Sequence, residues 1–462
     1  MAFATAIQQA FSTRSLSLDD AFGEADITTP GMAEAIRVWF ELYYARTRTG
    51  EADPSQRIPY TIVNKLTRTV FSEYEATSDN AFAQMVLVGL DARRKNGVQQ
   101  ALIGGEALLK PIFDDSKILF SVIDRNSYRV YGRNSCGELT DIGTTEITVT
   151  GGYFYTLLER RRVNPQGYLT ITNTLYRALD RGNLGNPVPL NTLPKYETLV
   201  PEYTYGTPVY SVGLIPIRTP MENGVDGSDD SVSIFEPAVG LINLIAINEA
   251  QINGEFERGQ SRIIVSSDMM EVDDRGNRSF KDNIFSGVPE DPDNIGVTIF
   301  SPAFREQSFL ARKTEYLRNI EAIIGFQRGI LAEVETVERT ATEVTSSKGD
   351  YAITIGDLQQ MWQTTVLEAL RVCAILGKAY NVPGAVEVPE DSVIISFGDG
   401  ILYDREREWN EYTNMVARGM LDAAVAVAWY FDLPFPETEE ERNAIRDRYM
   451  PRIDRLISED DI

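Results

Sequence analysis

The sequence predicts an α+β protein, mainly helical, in which a region of antiparallel strands is set between longer helices. Three observations lead there. Apolar residues recur at helical spacing over 32–46, 305–326 and 348–381. From Ala107 to about residue 180 the pattern changes to short runs rich in Ile, Val, Phe and Tyr, separated by Gly, Asn and Asp. The 462 residues are too many for one compact core, so at least two domains or one extended subunit are expected.

The elements follow in order. A helix over 32–46 places Ile36, Phe40, Tyr43 and Tyr44 on one face after a Thr-Pro turn. Further helices are expected at 60–74 and about 79–103, and strands occupy the rest of the first half. Residues 206–230 are dense in glycine and proline and read as a connector. A helix of roughly 37 Å then spans 233–257, with Ser233 as its cap and Pro237 in its first turn. It is apolar on more than one side, which suits either a buried core helix or one packed against copies of itself in a ring.

Strand and loop return at 259–304. The acidic residues Asp268, Glu271, Asp273, Asp274, Asp282, Glu290, Asp291 and Asp293 make this an insertion-like lobe. The helix at 305–326 carries the stripe Phe309, Tyr316, Leu317, Ile320 and Ile324, so helix, lobe and returning helix form a hairpin with a load at its tip. Gly325, Gly329 and the run AEVETVERTATEVTSSKGD should interrupt the helix, because Thr and Ser hydroxyls compete for backbone hydrogen bonds. A long helix resumes to about 381, striped by Leu358, Trp362, Val366, Leu370, Cys373 and Tyr380. A strand at 392–397 and helices at 404–418, 420–431 and 437–449 complete the chain.

Composition excludes much chemistry. With 44 basic against 68 acidic residues the formal net charge is −24, so any nucleic-acid contact must be local or repulsive. The chain has no histidine, which removes imidazole zinc sites and His-based acyl-transfer catalysis. Its two cysteines, Cys136 and Cys373, stand far apart without a CxxC neighbour; both are expected buried, in a reducing compartment. The start, MAFATAIQQAFSTRS, lacks the pattern of a secretory signal, and no apolar run is long enough for a bilayer, so a soluble intracellular protein is expected. There is no GxxxxGK[ST] phosphate loop. Asp226, Ser228, Asp229 and Asp230 lack the pattern of a calcium loop and read as a solvated turn. Asp399, Asp404, Glu406 and Glu408 read as a loop and an acidic helix start. No catalytic set emerges, and no cofactor, metal or membrane partner is expected.

The order of parts resembles the portal (head-tail connector) proteins of tailed bacteriophages, in the branch found in siphophages of Gram-positive hosts. The stretches carrying the resemblance are SDDSVSIFEPAVGLINLIAINEAQINGEFERGQSRIIV, SPAFREQSFLARKTEYLRNIEAIIGFQRGI, ERTATEVTSSKGDYAITI and IISFGDGILYDREREWNEYTNMVARGML. The resemblance implies a non-enzymatic ring, dodecameric in the family, at one capsid vertex of the virion, assembled in the host cytoplasm. Its channel passes double-stranded DNA during packaging and ejection. The implied partners are the terminase large subunit, a head-completion or adaptor protein, and the major capsid and scaffolding proteins.

In those terms residues 1–230 and 348–403 would be the wing, 231–258 and 305–326 the stem helices, 259–304 the clip, 327–347 the tunnel loop and 404–462 a short crown. Tunnel-loop candidates for DNA contact are Arg328, Arg339, Thr340, Thr342 and Lys348; the three cations could instead pair with Glu333, Glu335, Glu338 or Glu343. Clip candidates for partner binding are Asp273, Asp274, Asp282, Glu290 and Asp291. An acidic channel wall would let DNA slide, since no phosphate meets a deep electrostatic well. Two other readings stay open: another capsid or tail component, which predicts no closed ring, and a carboxylate-dependent metal enzyme built on Asp399 to Glu408.

Overall fold

The computed structural model describes residues 18–44, 56–114, 117–258, 262–265, 270–272, 278–280, 297–300, 305–332, 341–397, 405–431, 433–436 and 438–449. Two compact units divide the chain, one ending at Ser396 and one beginning at Phe397. The fold is mixed, with eleven helices and several antiparallel sheets among the described residues, in line with the α+β expectation.

In the first unit, α1 (Leu18–Phe22), α2 (Pro30–Tyr44) and α3 (Ile58–Val70) precede the strand β1 (Glu75–Ser78). Helices α4 (Ala81–Asp91) and α5 (Arg94–Gly104) follow. Strands β2 (Glu106–Asp114), β3 (Lys117–Ile123), β4 (Tyr128–Arg133), β5 (Leu139–Thr150), β6 (Tyr153–Val163), β7 (Leu169–Ala178), β8 (Asn186–Val188), β9 (Glu202–Thr204) and β10 (Ile215–Arg218) make two sheets. One has the order β10-β2-β3; the other runs β4-β5-β6-β7-β8, with β9 beside β7.

Helix α6 (Val239–Arg258) leads to the short strands β11 (Arg262–Val265), β12 (Met270–Val272), β13 (Arg278–Phe280) and β14 (Val297–Phe300). Of these, β11 pairs with β14 and β12 with β13. Helix α7 (Glu306–Ile324) returns, the 39-residue α8 (Ala341–Ala379) follows, and β15 (Val393–Ser396) closes on β1. The second unit holds α9 (Arg405–Ala417), α10 (Ala423–Tyr430) and α11 (Glu439–Tyr449). Among the described residues no helix is long and apolar enough to cross a membrane.

Four local expectations need correction. The helix expected over 79–103 is two helices, because α4 packs on β3 and α8 while α5 packs on β2 and α3, and one straight axis cannot serve both. The connector expected at 206–230 is largely core: Val209, Val212, Leu214, Ile215 and Ile217 are buried, and β10 is a sheet strand. Ser233 does not cap the helix. It is buried and donates to the Leu102 carbonyl at 3.0 Å, while a short 3-10 turn over Glu236–Ala238 starts α6. Cys136 is exposed in the turn between β4 and β5, where Asn134 accepts its N–H; only Cys373 is buried, and burial pushes that thiol well up.

The body also buries charges. Glu106, 2 % exposed, accepts from Arg218 at 2.5 Å and from the Tyr128 hydroxyl at 2.6 Å. Asp230 accepts from Arg133 at 2.7 Å and lies 3.8 Å from Arg125. The residues 226–230 are therefore not a merely solvated turn, since Asp230 points inward to two arginines. Burial alone would raise the Glu106 carboxyl, but Arg218, Arg133 and the Tyr128 hydroxyl outweigh it and hold the group below the usual carboxylate range.

A second network centres on Glu159, which accepts from Lys110 at 2.6 Å and from Arg161 at 2.7 Å. Burial raises its carboxyl, yet Arg161 and Lys110 prevail and hold it at about 2. Because the folded value lies below the unfolded one, this stabilisation is complete above the ordinary carboxylate range and fades as pH falls from about 4.5 toward 2. Glu159→Gln should therefore lose on the order of 2–3 kcal/mol at pH 7. Urea midpoints of wild type and variant should converge on acidification; a gap that stays constant down to pH 2.5 would exclude this role.

Candidate functional site

The most distinctive construction is an antiparallel helical pair followed by a pinned turn. Helices α6 and α7 pack on each other, and Ile242, Ile245, Ile320 and Ile324 are buried. Polar contacts set their register: Asn248 donates to the Phe309 carbonyl at 3.2 Å, Lys313 meets Glu249 at 2.5 Å, and Arg305 pairs with Glu255. The expected stripe on the returning helix holds, since Ile320 and Ile324 are buried and Phe309, Tyr316 and Leu317 are half-buried. The pair leaves Leu244, Ile247, Phe256, Leu310 and Ile323 exposed. Among the described residues, the wide apolar surface read from the sequence is therefore not fully covered. Strands β11 to β14 lie between these two helices in sequence.

Where α7 ends, Gly325 takes φ 75, and a Cβ there would meet the Thr354 hydroxyl at 2.3 Å. Glycine is required on both counts. The chain then folds back on a single carboxylate. Glu321 has no solvent exposure, and its Oε1 accepts the N–H groups of Gly329 at 3.1 Å, Leu331 at 2.5 Å and Ala332 at 3.0 Å. Phe326 packs edge-on against Tyr351 of α8, whose hydroxyl lies 2.9 Å from that of Thr69. A buried anion held by backbone donors is the inverse of a helix cap: the side chain stays fixed and the main chain is gathered around it. An open cavity of about 320 Å³ lies beside this junction, lined by Pro220, Ile323, Asp350, Ile353 and Asp357 among others.

The structure locates the residues singled out from sequence unevenly. Arg328 is exposed on the pinned turn. Arg339 and Thr340 lie outside the described residues, as do Asp273, Asp274, Asp282, Glu290, Asp291 and, in the second cluster, Asp399 and Asp404. Thr342 and Lys348 belong to α8, which begins at Ala341, so the hydroxyl-rich run does not keep the helix broken to residue 347. Intrinsic propensity costs only tenths of a kcal/mol per residue, and 39 residues of continuous α8 outweigh it. The described interruption is the pinned turn of residues 325–332. Glu321 was missed. The signal was available as a carboxylate set between Ile320 and Ile324 on an otherwise apolar stripe.

No protein-family model matches the chain, and no curated protein matches it.

Replacing Glu321 with Ala would leave three N–H groups without their acceptor, that of Ala332 buried, at a cost of about 2–4 kcal/mol. Glu321→Ala should lower the urea midpoint and speed hydrogen exchange over 326–332 more than elsewhere in the first unit. Unchanged exchange in that turn would rule out the carboxylate as its anchor.

Proposed function

We propose that the chain is a subunit of a bacteriophage portal: a closed ring at one capsid vertex through which double-stranded DNA enters and leaves. The observation carrying this reading is the α6–α7 pair, whose apolar residues Leu244, Ile247, Leu310 and Ile323 remain exposed after the two helices have packed on each other. Such flanks are expected of helices whose neighbours come from other copies, and a heterologous contact that closes on itself makes a ring.

In this reading α6 and α7 are the stem, and the short strands β11 to β14 belong to the clip that meets the terminase and later a head-completion protein. The segment between Ala332 and α8 would be the channel-facing loop, with Arg328 at its approach, Arg339 and Thr340 along it, and Thr342 and Lys348 at the start of the helix that follows. The α+β body would face the capsid and scaffolding proteins. The net charge of −24 per copy fits a wall along which DNA moves without sticking. No step of chemistry is assigned to the chain.

Negative-stain images of the purified protein test the proposal. Class averages along one axis should show rings with a central hole wide enough for duplex DNA. Monomers, filaments or sheets would overturn it. The paired change Leu244→Glu with Ile247→Glu should convert rings to monomers with an unchanged circular-dichroism spectrum, since these side chains face away from α7.

A further inference from the structure

Helices α3 and α5 pack antiparallel. Gln99 donates to the Asn64 side-chain carbonyl at 2.9 Å, and more than a turn earlier in α5 the Arg94 guanidinium stands 5.7 Å from the ring of Phe71, just past the end of α3. One helical turn separates Asn64 from Arg68 and Gln99 from Lys95, so the next rung of the pair sets Arg68 opposite Lys95. Lys65 flanks Arg68 on the outer face of α3, and Arg93 stands at the start of α5. All four cations are exposed.

Their surroundings are unusual for so acidic a chain. Neither helix contains a carboxylate, and none occurs from 54 to 72 or from 92 to 105, although acids outnumber bases 68 to 44 over the whole sequence. Glu73 and Asp91 mark the near end of the face. Asp91 is paired with Arg94, whose guanidinium also lies over the ring of Tyr74. Among the described residues, Lys65, Arg68, Arg93 and Lys95 have no ion-pair partner. The arginines of the body differ, since Arg133, Arg161 and Arg218 are each matched by an acid.

The composition of the face selects its partner. Of the large apolar side chains on α3 and α5 only Tyr60 is exposed, so the face lacks the anchors on which protein interfaces depend. Asn64, Asn96, Gln99 and Gln100 add neutral amides beside the cations. Amides and unpaired cations without apolar anchors suit phosphate oxygens.

We infer that the α3–α5 face binds the phosphate backbone of duplex DNA without sequence preference. Arg68 and Arg93 can each offer two parallel N–H groups to one phosphate, while Lys65 and Lys95 act as point charges. The net charge of −24 restricts such contact to places where cations locally outnumber acids, and this face is one. The proposal goes beyond the ring reading, because it uses none of the tunnel-loop candidates and needs no channel.

Fluorescence anisotropy with a labelled, covalently closed duplex circle tests it on the full chain, since a circle has no end to thread through a ring. At about 50 mM salt the chain should bind, with an affinity that falls steeply as salt rises. Arg68→Gln with Lys95→Gln should weaken binding about tenfold or more and flatten the salt slope by about one for each phosphate contact removed. The matched pair Lys117→Gln with Arg181→Gln, exposed cations elsewhere on the first unit, should bind like wild type. Gln, Lys and Arg have nearly equal helix propensities, so the helices persist in these variants, as circular dichroism would verify. No binding by wild type, undiminished binding by the Arg68/Lys95 variant, or an equal loss in the matched pair would each overturn the proposal. Displacement of the circle by polyglutamate as readily as by unlabelled duplex would also overturn it, because the face would then suit an acidic protein surface.

Discussion

The arrangement of the first unit rests on one buried ionic contact set, in which Glu106 and Asp230 share Arg218, Arg133 and Arg125. These side chains come from β2, β10, β4, the turn before β4 and the segment leading to α6. Removing any one of them strands a charge in a medium that penalises it by several kcal/mol, so the set forms together or not at all. Its consequence is positional. With Asp230 held, Val232 to Phe235 are drawn into the core, and α6 leaves the body from a fixed root. Gly105 completes the constraint, since a Cβ there would strike the Ser231 carbonyl at 2.1 Å. The direction of the helical pair is thus set by electrostatics in the body, well before the pair's own contacts begin.

A second carboxylate fixes the other end of that pair. Glu321 gathers the turn after α7, and Phe326 with Tyr351 ties the same turn to α8. A displacement of α7 must therefore carry the turn and the start of the following segment with it. The two anchors differ in kind. Glu106 and Asp230 are matched by arginines, whereas the described hydrogen bonds of Glu321 all come from main-chain N–H groups. An anchor of backbone donors can be released by moving the chain, without separating opposite charges.

Much of this was legible in the sequence where the signal is periodic. The stripes of α7 and α8 predict their buried faces because helical spacing and burial are the same fact seen twice; Leu358, Trp362, Val366, Leu370 and Cys373 are all buried as read. Tyr380 is not, because it lies one residue past the end of α8. Legibility failed where partners are distant. Residues 206–230 were read as a connector because glycine and proline density reports turns, and turns can be buried when β2 supplies the pairing for β10. Asp230 looked solvated because its arginines stand about a hundred residues earlier. For Glu321 the partners are backbone groups, which carry no side-chain signature at all. The exposed Cys136 shows the same limit in a smaller way, since an Asn-led turn outweighed the tendency of a lone cysteine to be buried.

The disposition of charge bears on what the surface can do. Inside the body, acids and bases are closely matched: Glu106 and Asp230 with Arg125, Arg133 and Arg218, Glu159 with Lys110 and Arg161, and Asp141 with Arg160. The interior therefore takes up at least as many cations as anions. The chain as a whole nevertheless keeps a formal net charge of −24. A polyanion approaching this surface meets repulsion that salt only partly screens within about 10 Å, and the cations most firmly held are the ones it cannot reach.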